Sequence, residues 1–141
     1  MSNPRSPSPH LRRGWVVILA FATLGFALEV LHGFKIGWYL DVATETRRSM
    51  FTLAHAHGTL LGLLHVAFAV TVERCDEATG LGTAGRLLDA ATILLPTGFL
   101  LGGIWIHGGD PGAGIVLVPL GAITLIGSIV VTLRACRTSS S

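Results

Sequence analysis

The sequence predicts an all-α integral membrane protein, four transmembrane helices in an up-down-up-down bundle. Three observations carry the prediction. Half of the 141 residues are apolar, mean hydropathy is +0.65 and only 13% of positions are charged, against roughly 25% in soluble globular proteins. The apolar residues fall in four long blocks, each near the about 20 residues that a helix needs to cross a hydrocarbon core about 30 Å thick. None of the blocks alternates apolar and polar residues with period two, as a membrane-spanning barrel requires. The net charge of +2 is mild and the arginines are dispersed, which argues against nucleic acid as a partner.

Residues 1–13 are rich in Ser and Pro at their start and read as a disordered cytoplasmic tail. The four-helix transmembrane domain occupies 14–134, beginning with a span at 14–33. Arg12 and Arg13 before an apolar run would also suit a signal peptide, but Glu29 interrupts the run and no small-x-small cleavage site follows. Residues 34–49 carry Trp38, Tyr39, Asp41, Glu45, Arg47 and Arg48 and make a long connection for a bundle. Part of this segment is expected to lie along the membrane surface or to extend a neighbouring helix. The second span is read at 50–72 and the third at 87–106, where Pro96 should introduce a kink. GGDPGAG at 108–114 is a turn by its Gly, Asp and Pro content. The fourth span, 115–133, alone lacks an ionisable residue, and 135–141 forms a second cytoplasmic tail. Small residues recur every fourth position as Ala54, Gly58 and Gly62, and as Gly98 and Gly102. This spacing lets backbones approach and predicts a tight contact between spans two and three.

With four spans, seven basic residues (Arg5, Arg12, Arg13, Arg74, Arg86, Arg134 and Arg137) fall on the side of the termini and three (Lys35, Arg47 and Arg48) on the other. The positive-inside rule therefore predicts a multi-pass protein of the cell membrane with both termini cytoplasmic. Trp15, Trp38, Tyr39 and Trp105 lie near span ends, as interfacial rings do. Cys75 and Cys136 fall on the cytoplasmic side and are expected to stay reduced.

Ionisable side chains are costly in hydrocarbon, so their positions are the main pointers to function. The end of span one, the start of span two and the end of span three share the non-cytoplasmic layer, and they hold Glu29, His32, His55, His57 and His107. Glu29 and His32 stand three residues apart and can address one site, in the Glu-x-x-His spacing of carboxylate-bridged metal bundles. A simple hydrogen-bonded pair would suit the same spacing. His55 and His57 diverge by about 160° on a regular helix, so they address opposite faces instead of one ion. His65 and Asp89 lie toward the cytoplasmic half and are expected to form a hydrogen-bonded or proton-carrying pair.

The segment HAHGTLLG, residues 55–62, resembles the histidine-bearing helix in the catalytic subunit of heme-copper oxidases and nitric oxide reductases. In that family two histidines of an H-x-H pair hold two hemes on either side of one helix. The resemblance implies that His55 corresponds to the ligand of the oxygen-binding heme and His57 to that of the low-spin heme. The rest of the chain has neither the span number nor the copper-ligand helix of that subunit.

These residues predict a small membrane protein that binds heme iron, with His55 or His57 as one axial ligand and His32 or His107 as the other, for electron transfer, sensing or storage. A non-heme copper or zinc site using His32, His55, His57 and His107, with Glu29 as ligand or outer partner, is an alternative. A cofactor-free membrane subunit or transporter, whose His and Glu residues carry protons, is a third reading. No Ser or Cys stands beside a credible base in a span, so no catalytic nucleophile is assigned. The lipid bilayer is the first expected partner. Because His55 and His57 face apart, a second copy of the chain or a membrane partner subunit is the other.

Overall fold

The computed structural model describes residues 8–40, 45–75 and 80–138. Four helices account for most of them: α1 (Pro9–Gly33), α2 (Glu45–Arg74), α3 (Leu81–Ile104) and α4 (Leu117–Thr138), the last entered through a short 3-10 turn at Ala113–Val116. All four are long and apolar enough to cross a membrane, and no strand occurs among the described residues.

The helix ends differ from the sequence expectation for local reasons. Helix α1 starts at Pro9, so residues 9–13 of the expected tail are helical, while 1–7 lie outside the described residues. Ser8 caps this end, its side chain accepting from the Leu11 N–H at 3.2 Å. Pro9 occupies the first helical position, where its missing N–H costs nothing. Helix α2 begins at Glu45 and absorbs the end of the expected loop, whereas 41–44 lie outside the described residues. Helix α3 begins at Leu81 after Gly80, whose φ of 103° suits glycine, and it continues through Pro96. Helix α4 runs on to Thr138, so 135–138 are not a tail, and 139–141 lie outside the described residues.

Each helix packs on its neighbours in sequence. The interior is built mainly by α2 and α3, with Ala54, Leu61, Phe68, Ala84, Leu88, Ala91, Leu95 and Phe99 buried. In the most apolar stretches of α1 and α4 only 11% of residues are buried, against 39% and 44% in α2 and α3. The outer helices therefore turn large side chains such as Leu19, Phe26, Ile123 and Leu133 outward.

The small-residue stripes serve the predicted contact only at Gly102, which neighbours Met50 of α2. Gly58 and Gly62 of α2 face α1, where Gly58 receives the Phe21 ring and Gly62 meets Ile18 and the Gly14 carbonyl. Gly98 of α3 faces Val118 of α4 and the Gly114 carbonyl. Elsewhere α2 and α3 meet where Met50 and Phe51 pack on Gly103 and where His57 packs on Phe99. Spacing identifies a stripe that permits close approach, but the helix it faces is set by rotation about the axis.

Arg47 ties the segment after α1 to the end of α3. Its guanidinium donates to the carbonyls of Trp38 at 2.7 Å and Gly103 at 3.1 Å, and lies 4.5 Å from the Trp38 ring centre. The Gly103 bond satisfies a carbonyl in the last turn of α3. A second correction concerns the cysteines. Cys75 and Cys136, expected to stay reduced, are paired, with Cα atoms 5.6 Å apart, inside the range that a disulfide spans. Cys75, just past α2, packs on the same cluster as Leu81 and Ala135, which brings the end of α4 alongside it.

Candidate functional site

The predicted ligands separate into three places. His55 turns toward α1, where its Nδ1 lies 2.7 Å from the Phe21 carbonyl oxygen. A carbonyl only accepts, so the neutral ring carries its proton on Nδ1 and leaves Nε2 as a bare lone pair. Gly25 makes room for this ring, since a Cβ there would lie 2.7 Å from Nδ1 and 3.0 Å from Nε2. The imidazole borders an open groove of about 800 Å³ between α1 and α2, whose other polar groups include Glu29, His32 and Arg48, with Phe26 and Tyr39 in its walls. Arg48 is paired with Glu45 at 2.9 Å. The Glu-x-x-His pair and His55 thus share one groove.

His57 points the other way. Its Nδ1 donates to the Leu53 carbonyl one turn earlier at 2.8 Å, and its ring packs on Phe99 of α3 with centroids 4.8 Å apart. Its Nε2 has no hydrogen-bond partner among the described residues. His107 joins neither. It is exposed at a tight turn, pairing through its backbone with Asp110 around Gly108 and Gly109. Both glycines have positive φ, 59° and 92°, as a two-residue turn of this hand requires. The predicted non-heme set of His32, His55, His57, His107 and Glu29 is therefore divided, because α2 sends its two imidazoles to opposite neighbours and the turn carries His107 outside.

A third cluster sits near the start of α1 and contains residues that the sequence reading left inert. His65 is 1% exposed. Its Nε2 lies 3.8 Å from Asp89 Oδ1, longer than a hydrogen bond, and bonds instead to Thr92 Oγ1 at 3.0 Å. Asp89 is held by Arg13, whose Nη1 donates to Oδ2 at 2.7 Å. The Nδ1 of His65 faces Nδ1 of His10 at 3.1 Å. His10 sits over Gly85, where a Cβ would lie 2.7 Å from its Nε2. Among the described residues, His10, His65 and Asp89 form a trio with one ligand atom from each within 4.8 Å of the others.

The proton positions in this cluster follow from its partners. The single Thr92 hydroxyl proton is directed at the Leu88 carbonyl, 2.8 Å away, so the oxygen accepts from His65 Nε2–H. Neutral His65 then has a bare Nδ1, and His10 supplies the bridging proton from its own Nδ1. His10 and Arg13 were legible as members of a helix: Ser8-Pro9 is a helix-start signal, and positions 10 and 13 share a face. Comparison of the chain with family models, with curated proteins and with solved structures returned no match.

Proposed function

We propose that this is a multi-pass protein of the cell membrane, its helices in up-down-up-down order with both termini cytoplasmic, which binds heme in the α1/α2 groove through His55 for electron transfer, sensing or storage. The carrying observation is the anchoring of His55 through Nδ1 to the Phe21 carbonyl, which leaves Nε2 unprotonated on a ring that borders an open groove. Histidines that ligate metals characteristically donate their other ring N–H to a backbone carbonyl or carboxylate in this way. A groove of about 800 Å³ lies within the range of cofactor sites. His32 borders the same groove and is the candidate second axial ligand, and Arg48 is placed to pair with an acidic substituent of the ring. Bound heme would supply a one-electron iron centre. His57, with the same anchoring on the opposite face, would serve a second cofactor or a contact with another subunit. The outward apolar surfaces of α1 and α4 suit lipid or a second copy of the chain. The seven-to-three excess of basic residues supports the cytoplasmic side for the termini, whereas the Cys75–Cys136 disulfide at the same end favours an oxidising side.

Absorption spectra of protein purified from heme-supplied cells, oxidised and reduced, test the reading. A Soret band that is lost or shifted in His55→Ala and His32→Ala, and unchanged in His107→Ala, is the expected result. Absence of the band, or identical spectra in the His55 variant, rejects it. The non-heme reading retains support from Glu29, His32 and His55 bordering one groove. Stoichiometric copper or zinc by elemental analysis, lost in His55→Ala, would favour it.

A further inference from the structure

We propose that His10, His65 and Asp89 bind a divalent first-row transition-metal ion of the zinc and cobalt class, at a site that shares no residue with the α1/α2 groove. Three donors arrive from three helices, α1, α2 and α3, with one ligand atom of each within 4.8 Å of the others. Two imidazoles and one carboxylate, with a position left open, are a common three-protein-ligand set for such ions.

The two rings already bring their Nδ1 atoms to nearly the separation that a shared ion requires. Their planes differ by 16° and their centroids are 5.3 Å apart, about 2.2 Å more than the 3.1 Å between the Nδ1 atoms. That difference is about twice the distance from a ring nitrogen to the ring centre, so the rings meet edge to edge and the two nitrogens point at each other across a shared proton; to hold an ion, which lies off the line between them, each ring tilts by about 35°. Two nitrogens each bound to a tetrahedral zinc at about 2.0–2.1 Å stand about 3.3 Å apart. The observed 3.1 Å is within a few tenths of that separation. An ion replaces the proton now held between the rings, and His10 moves its own proton to Nε2, so both imidazoles stay neutral.

Each ligand is oriented by an outer partner, as metal ligands are. Thr92 accepts from His65 Nε2–H and so keeps Nδ1 bare. Arg13 engages Asp89 through Oδ2, leaving Oδ1 free; it lies 3.8 Å from His65 Nε2 and turns toward the Nδ1 side to join the ion. Gly85 provides the space that the His10 ring occupies. An open groove of about 650 Å³, bordered by Pro9, Arg13, Val17 and Thr92, reaches two of the three ligands, His65 and Asp89, and gives an ion a way toward them.

The full-length protein, purified in mild detergent with Cys75 and Cys136 oxidised and stripped with a chelator, is titrated with Co2+. Visible d–d absorption is followed, and Zn2+ is then added to displace the cobalt. One saturable equivalent with the bands of four- or five-coordinate cobalt is expected. Asp89→Asn and His10→Ala should each weaken binding at least about tenfold, and Thr92→Val should weaken it by about tenfold. His32→Ala and His55→Ala should leave it unchanged, which separates this site from the heme reading. Asp89→Asn keeps the side-chain shape and an acceptor for Arg13, and helical circular dichroism with retention volume verifies that each variant is folded. No saturable cobalt signal, unchanged affinity in both the Asp89 and His10 variants, or loss confined to the His55 variant would overturn the site.

Discussion

Gly62→Ala adds one methyl group where α1 and α2 approach closely, opposite Gly14. A Cβ at this position would lie 2.7 Å from Ile18 Cγ1 and 3.0 Å from both the Gly14 carbonyl oxygen and the Ile18 backbone nitrogen. The Ile18 side chain can rotate aside, but the two backbone atoms recede only if α1 moves as a body. Favourable contact lies at about 3.5 Å or beyond, so α1 must withdraw by about 0.5 Å. The withdrawal loosens the whole seam, where Gly14 meets Gly62 and Val66 and Phe21 covers Gly58. A gap of about 0.5 Å forfeits about a quarter of the attraction of each contact. Overpacking of this kind costs about 1–3 kcal/mol, and the better helix propensity of Ala offsets up to about 1 kcal/mol, leaving a net loss of about 1–2 kcal/mol. Reversible unfolding in mixed micelles of mild detergent and dodecyl sulfate, followed by circular dichroism, measures it. Gly82→Ala is the control, because nothing lies within 4 Å of a Cβ there. The Gly62 variant should unfold at lower dodecyl sulfate fraction than the wild type, and the Gly82 variant at an equal or higher one. A Gly62 variant as stable as the wild type would refute the seating of α1 on α2 through Gly14 and Gly62.

Two further perturbations probe the rest of the structure. Gly98→Ala, whose Cβ would meet Val118 Cγ2 at 2.8 Å and the Val118 nitrogen at 3.1 Å, should cost about 1 kcal/mol or more in the same unfolding assay. Gly102→Ala, with its nearest neighbours at 3.6–3.8 Å, should be neutral or stabilising. For Cys75 and Cys136, 61 residues apart, Cys75→Ser in the oxidised protein should lower stability by up to about 4 kcal/mol. In intact cells an impermeant thiol reagent should fail to reach either cysteine even after reduction, and ready labelling would place the termini outside.

Composition and the four apolar blocks determined by themselves that the chain is helical and that four of its helices can cross a membrane, because length and hydropathy are local properties. The divergence of His55 from His57 was also legible, since the angle between neighbouring side chains belongs to the helix itself. The sequence also pointed to Glu29 and His32 as neighbours on one face, which the structure places on one groove with His55. Tertiary structure alone decided which helix each face meets. Ala54, Gly58 and Gly62 repeat at the same spacing as Gly98 and Gly102, yet Gly58 and Gly62 seat α1 while Gly98 seats α4, and Gly102 has room for a methyl group. His65 and Asp89 are 24 positions apart in sequence, and only the packing shows that Thr92 and His10 take the imidazole while Arg13 takes the carboxylate. The pairing of Cys75 with Cys136 has the same origin, as the ends of α2 and α4 meet beside Leu81 and Ala135. Rotation about each helix axis and the order of helices around the core minimise the summed packing energy of all four, a property of the assembled set that no single segment carries.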